Sequence, residues 1–279
     1  MGVFFLLGAA SVMVSACGST SSGHNQTSTV QPSQLTPLQA VSSAGAASSR
    51  SKSTSVYIRT SIQSSGIPGG DVNETLTANG VVDFSSDQAF VTISGPGTTV
   101  SGTPLQILEI GNKTYVDGPY AGAAADTFVP APTTSSSTTS LPFSVNPSDI
   151  SSVLPKNVFA QLGALRNVTR LGTSVIAGIT VTKYRATYKS FAQSPFAELM
   201  GQSNISATSL AGIGSPTEYI WLDSKGRVVQ VATSTDLSSF LNSLLSSFSA
   251  TTAVHPIKLV ITLNEQFNNY GAKVHIPTL

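Results

Sequence analysis

The amino-acid sequence predicts an α+β fold built on an antiparallel sheet. Many short segments alternate apolar and polar residues between Gly, Asn or Pro, a pattern typical of consecutive strands joined by turns. A few longer segments place their apolar residues at helical spacing. The sequence has no strand–helix–strand rhythm and no repeat of fixed period, so we expect about ten strands and three or four helices. The 279 residues suffice for one large domain or two small ones.

The N-terminus resembles an export signal that ends at the only cysteine. Residues 3–14 (VFFLLGAASVMV) are apolar, and this run is too short for a membrane-spanning helix but fits the core of a signal peptide. Val14, Ser15, Ala16 and Cys17 resemble a bacterial lipobox, in which the cysteine thiol receives diacylglycerol and becomes the new N-terminus. No Lys or Arg precedes the run, which departs from the usual signal. The alternative is a buried N-terminal helix with an incidental cysteine.

These observations divide the chain into three parts. We predict a signal peptide at 1–16, the lipidated Cys17 and a flexible tether at 17–36, and a folded domain at 37–279. The tether is rich in Ser and Thr and has no periodicity. Residues 37–52 predict the first helix, with Thr36 as N-cap and Pro37 at its first position.

Five strand segments follow the first helix. They cover residues 55–63, 72–84, 89–94, 105–110 and 113–117. Gly111 and Asn112 predict a tight hairpin between the last two strands. Residues 131–140 are a Ser/Thr-rich run that we interpret as a mobile loop within the domain, with a domain boundary as the alternative.

The second half of the chain mixes helices and strands. Helices are predicted at residues 146–165, with Ser148 as a candidate cap, at 195–200 and at 236–248. Strands are predicted at 168–174, 178–189, 218–223 and 227–233, with a turn at 223–226 between the last two. The final strand has the clearest period of two, because Ile257, Leu259, Ile261 and Leu263 occupy alternate positions.

Several phrases, in this order, resemble the actinobacterial LppX/LprG-type lipoproteins, which have a LolA-like fold. They are the lipobox at Cys17 and the segments 111–117 (GNKTYVD), 178–184 (GITVTKY), 218–223 (EYIWLD) and 269–277 (NYGAKVHIP). The resemblance covers about residues 37–279. It implies a curved antiparallel β-sheet, a half-barrel, with helices packed on the concave side around an apolar cavity for acyl chains. The run at 131–140 and the charge-free N-terminus depart from the family pattern.

A lipid cavity needs a large apolar lining, since each buried methylene contributes about 0.8 kcal/mol. We expect inward-facing strand residues to line the cavity and residues of the last helix to form its lid. Alternation does not distinguish a cavity from a filled core, so ordinary core packing is the alternative for every candidate. The lining candidates are Ile58, Leu76, Val91, Ile107, Val181, Trp221, Leu259 and Ile261, and the lid candidates are Phe240, Leu244 and Phe248.

Composition and motifs argue against other functions. The chain has 14 Lys and Arg against 13 Asp and Glu, which leaves no basic surface for a nucleic acid. One cysteine and three separated histidines argue against a metal centre. Neither a GxSxG nucleophile elbow nor a phosphate-binding GxxxxGK[ST] run is present. A Ser, His and Asp could still meet after folding, but we predict no enzymatic activity, no cofactor and no metal.

The first functional hypothesis is a lipoprotein anchored on the extracytoplasmic face of a cell membrane by diacylglycerol on Cys17. It would bind acyl chains of a lipid or glycolipid and carry or present them in the envelope, as a monomer, with an envelope transporter or regulator as partner. The alternative hypothesis is a non-catalytic sensor or partner-binding module on the same fold. An exposed apolar patch together with a closed cavity would favour that alternative.

Overall fold

The computed structural model describes residues 35–66, 70–96, 98–100, 103–117, 124, 127–131, 154–189, 191, 194, 214–248 and 256–279. The predicted signal peptide, Cys17 and most of the predicted tether lie outside these ranges. So do the Ser/Thr-rich run after residue 131, the predicted helix at 195–200 and the first part of the predicted helix at 146–165.

The first helix, α1 (Pro37–Ser49), begins where the sequence predicts. The Thr36 hydroxyl accepts a hydrogen bond from the backbone N–H of Gln39, and the Gln39 side chain accepts one from the N–H of Thr36. This reciprocal capping box satisfies two helix-terminal donors, and Pro37 has no N–H that would need a partner. The helix ends at Ser49 rather than at residue 52.

The strands form one antiparallel sheet. Its order is β7-β6-β5-β3-β2-β1-β12-β11-β10-β9-β8, and β4 pairs with β5 beside this path. The bounds are β1 (Ser53–Ser65), β2 (Val72–Asp83), β3 (Gln88–Ser94), β4 (Thr99–Val100), β5 (Thr103–Ile110), β6 (Lys113–Asp117), β7 (Phe128–Pro130), β8 (Leu165–Ile176), β9 (Ile179–Tyr188), β10 (Thr217–Asp223), β11 (Val228–Asp236) and β12 (Lys258–Asn268).

Two further helices interrupt the sheet. The second helix, α2 (Pro155–Gln161), continues into a 3₁₀ turn (Leu162–Ala164), and the third helix, α3 (Ser238–Phe248), precedes β12. The predicted helix at 146–165 is wrong at its end, because Leu165 already begins β8. The short strands β4 and β7 were not predicted.

One face of the sheet carries the helices and most of the core, and we call it the inner face. Cross-strand pairing places Val56 of β1 opposite Phe267 of β12, and the ring of Phe159 in α2 lies 5.0 Å from that of Phe267. The Ser48 hydroxyl of α1 accepts a hydrogen bond of 2.9 Å from the N–H of Val228 at the start of β11. The predicted α+β class, an antiparallel sheet with helices on one face, is confirmed.

Candidate functional site

The inner face presents a continuous apolar surface across neighbouring strands. Val91 of β3 pairs with Ile107 of β5, and both side chains are fully buried. Ile58 of β1 lies opposite Ala78 of β2, in the same register. Directly paired residues share a face of a sheet, so these side chains form one surface rather than separate clusters.

Six of the eight predicted lining residues lie on this inner face. Ile58, Val91, Ile107, Leu259 and Ile261 are buried there, while Leu76 is half-buried on the same face. Of the lid candidates, Phe240 is half-buried and packs against the core. The side chains of Leu244 and Phe248 lie outside the described residues.

Trp221 and Val181 lie on the opposite, outer face, so the prediction that all eight share one lining is wrong for these two. The Lys183 ammonium lies over the rings of Tyr219 and Trp221, 4.5 and 4.8 Å from their centroids, a cation–π arrangement. Val181 pairs with Asp223, two residues after Trp221 on the same side of β10. Strand β10 has large apolar side chains on both of its faces, so alternation alone did not show which face is buried. Its even-numbered residues face inward, and Trp221 therefore faces outward.

A buried polar cluster lies within the apolar inner face. We call it the polar centre, and it consists of Tyr188, Glu218, Thr233 and Glu265. The hydroxyl of Tyr188 donates a hydrogen bond to Glu218 Oε2, and Thr233 Oγ1 lies 3.5 Å from the same oxygen. Both carboxyl oxygens of Glu265 are buried without a hydrogen-bond partner. The polar centre therefore contains two unsatisfied oxygens near the hydrogen-bonded carboxyl of Glu218.

Burial controls the protonation of the two carboxyl groups. Glu218 is 1% exposed and Glu265 is fully buried. Burial raises the pKa of Glu218 to about 7, although its hydrogen bonds from Tyr188 and Thr233 act in the opposite direction. Burial also raises the pKa of Glu265 well above its usual range, and the nearby carboxyl of Glu218 adds to this rise. Both effects disfavour the charged form, as expected for acids removed from water.

The polar centre was not predicted from the sequence, although one local pattern pointed to Glu265. Every second residue of β12 faces inward. These residues are Leu259, Ile261, Leu263, Glu265 and Phe267. The predicted strand ended before residue 265, so its inward position was not recognised. An acidic residue that continues an inward apolar series is the pattern that would have identified it.

Another buried carboxyl group, that of Glu109, lies outside the polar centre. Glu109 of β5 borders a small pocket beneath the β2–β3 turn, where Lys156 of α2 forms a 2.7 Å ion pair with Asp87. Burial raises the pKa of Glu109 to about 7, Lys156 opposes the rise and Asp87 adds to it. The pocket has room for about one water molecule. It is far too small for an acyl chain.

The described part of the chain has no candidate metal site. No group of three or more His, Cys, Asp and Glu side chains within it is arranged to hold a metal ion. His275 is exposed near the C-terminus, and His24 and His255 fall outside the described ranges. No helix among the described residues is long and apolar enough to cross a membrane.

Comparison with known proteins gives likeness in structure only. No protein-family model and no curated protein matches the sequence. The lipoprotein LppX of Mycobacterium tuberculosis is 12% identical, with 86% of this chain and 98% of LppX covered at a TM-score of 0.45. LprF of Mycobacterium bovis is 14% identical, with 87% and 96% covered at 0.42. A LolA-superfamily protein of Nitrosomonas europaea is 11% identical, with 84% and 92% covered at 0.27. None of these three likenesses exceeds 14% identity or a TM-score of 0.45.

Proposed function

We propose that this protein is a lipoprotein anchored through Cys17 to the extracytoplasmic face of the cell membrane. It binds the acyl chains of a lipid or glycolipid on the inner face of its sheet and carries or presents them, as a monomer and without covalent chemistry. Residues 1–16 direct export, residues 17–36 tether the domain, and residues 37–279 bind the lipid. An envelope transporter or regulator exchanges the cargo with it.

The observation that carries this proposal is the width of the apolar inner face. Among the described helices, α1 packs mainly on β8, β10 and β11, α2 contacts Phe267 of β12 through Phe159, and α3 packs on β12. The apolar surface continues beyond them across β1, β2, β3 and β5, with Ile58, Val91 and Ile107 along it. Four strand spacings from β5 to β12 span about 19 Å. An extended acyl chain laid across these strands would be about as long as this apolar surface is wide, and it is apolar as well.

A pair of adjacent residues tests whether lipid binds on this face. Leu76 faces inward and Thr77 outward on β2, and both are half-buried. We expect Leu76→Trp to weaken binding of a fluorescent C16 fatty acid about tenfold, because the larger ring occupies space on the lining. Thr77→Trp is the matched control and should bind like the wild type. Equal affinities in all three proteins, or no binding by the wild type, would contradict the proposal.

One observation favours the alternative, a partner-binding module. Strand β8 is the last strand at one end of the described sheet, and most of its side chains are exposed. Leu171, Val175 and Ile179 of the β8–β9 hairpin are 48%, 67% and 40% exposed. A long exposed edge strand can pair with an extended segment of a partner protein. Site-specific crosslinking from position 171 in cells, lost on Val175→Pro, would support this function, and no crosslinked partner would oppose it.

A further inference from the structure

The unsatisfied oxygens of the polar centre require a physical explanation. Glu265 lies between Ile58 of β1 and Val231 of β11, so its neighbours across both strands are apolar. Neither of its carboxyl oxygens has a hydrogen-bond partner, and the residue is fully buried. Burying polar groups without partners is costly, and an apolar side chain at position 265 would avoid that cost. These oxygens are arranged to receive a partner that is not part of the described chain.

We infer that the polar centre hydrogen-bonds a hydroxyl-bearing group of the bound lipid, such as a glycerol, sugar or hydroxyacyl group. This inference rests on the proposed lipid-binding function and specifies the class of lipid. The hydrocarbon of the ligand lies on the apolar inner face, and a hydroxyl group of the ligand meets the carboxyl group of Glu265. Glu218 is held by Tyr188 and Thr233, so it supports the site from one side.

The chemistry of the polar centre selects a hydroxyl group over other polar groups. Glu265 and Glu218 have no basic side chain among the causes that shift their pKa, and burial favours their neutral form. A neutral carboxyl donates one hydrogen bond and accepts others. A ligand hydroxyl also donates and accepts, so it can pair with the carboxyl oxygens of Glu265. A ligand carboxylate would bring a third acid into a buried site, and a plain hydrocarbon would leave every oxygen unsatisfied.

Two probes of equal chain length test this inference. Monopalmitoylglycerol carries two free hydroxyl groups, whereas methyl palmitate has the same acyl chain and ester but none. The full chain carrying Cys17→Ser, which takes no acyl anchor, is titrated with each probe by displacement of a fluorescent fatty acid. We expect this protein, with no substitution in the polar centre, to bind monopalmitoylglycerol about tenfold more tightly than methyl palmitate. Two additional hydrogen bonds to buried groups correspond to roughly that factor.

Substitutions in the polar centre should change this preference and not the affinity for the acyl chain. Glu265→Leu should bring the ratio of the two affinities close to one, while methyl palmitate binds at least as well as before. Glu265→Gln retains a donor and an acceptor and should preserve most of the preference. Glu265→Met is a second substitution that removes the carboxyl group, and it tests the inference if Glu265→Leu does not fold. Glu109→Gln, at a buried carboxyl outside the polar centre, is the control and should leave the ratio unchanged.

The outcomes separate this inference from the proposed function. If both probes bind equally and the substitutions leave the ratio unchanged, lipid binding stands and the hydroxyl recognition is wrong. The same conclusion follows if hexadecylamine is preferred to both probes, because the polar centre would then recognise a cation, or if ordered water alone fills it. If neither probe binds the wild type, the proposed function fails and this inference fails with it.

Discussion

At the scale of single residues, Glu218 and Glu265 are the most deeply buried acidic side chains of the described chain. Their burial within an apolar sheet face keeps their carboxyl groups neutral over much of the ordinary pH range. Trp221, in contrast, lies on the outer face under the Lys183 ammonium. Residue type alone suggested a cavity role for the tryptophan and none for the glutamates. The strand register instead places the two glutamates on the inner face and the tryptophan on the outer face.

The raised pKa of Glu218 predicts a pH dependence of stability. A group whose pKa is higher in the folded protein binds its proton more tightly there, so its contribution is fully present below about pH 4.5 and is lost as pH rises through about 7. Tyr188, Thr233 and Glu265 are the groups that interact with it. We expect the free energy of unfolding to fall between pH 5 and 7 by up to about 1.4 kcal/mol per pH unit from this proton.

Urea unfolding of the wild type and of Glu218→Gln at several pH values measures this contribution. The amide does not titrate, so the difference in unfolding free energy between the two proteins should change steadily from pH 5 to pH 7 and be flat above pH 8. Parallel pH profiles would show that Glu218 has an ordinary pKa in the folded protein.

At the scale of elements, the packing of α1 against α2 depends on Gly45. A Cβ atom at position 45 would overlap the carbonyl oxygen of Phe159 and lie 3.0 Å from its Cβ. Gly45→Ala would gain about 1 kcal/mol of helix propensity, but we expect overpacking to outweigh that gain and destabilise the protein by about 1–3 kcal/mol. Chemical denaturation measures the change. Ser42→Ala, on the exposed side of α1, is the control and should be nearly neutral.

The sequence predicted the elements whose signals are local. The N-cap at Thr36, the Gly111–Asn112 hairpin and the alternation of β12 all depend on neighbouring residues, and the structure contains all three. The predicted helix at 146–165 extended too far, because Leu165 fits a helical apolar stripe as well as a buried strand. Strand β7 (Phe128–Pro130) has three residues, too few to show a period.

The candidate site could be predicted only in part, because facing depends on pairing between distant strands. Single-strand alternation placed Ile58, Val91 and Ile261 correctly. It misplaced Val181, whose strand partner Asp223 became known only from the register. The polar centre combines residues from four strands, and no local pattern shows that Glu218 and Glu265 interact.

At the scale of the whole molecule, the proposed lipid anchor on Cys17 can be tested separately from the lipid-binding sheet. Cys17→Ser should move the protein from the membrane fraction to the soluble fraction of its native host. Two or three acyl chains hold a protein on a bilayer, and the variant would carry no acyl chain. Fractionation with a palmitate label measures both the position and the acylation. An unlabelled wild type, or a variant that stays on the membrane, would contradict the predicted anchor.

The central claim is that the inner face holds a lipid, and native mass spectrometry tests it most directly. The full chain carrying Cys17→Ser would be purified without detergent from a lipid-rich actinobacterial host, and any bound molecule would be extracted and identified. We predict a discrete added mass of lipid size that is lost on denaturation. A mass equal to that of the chain alone, together with no uptake of added monopalmitoylglycerol or fatty acid, would contradict the claim and favour the partner-binding function.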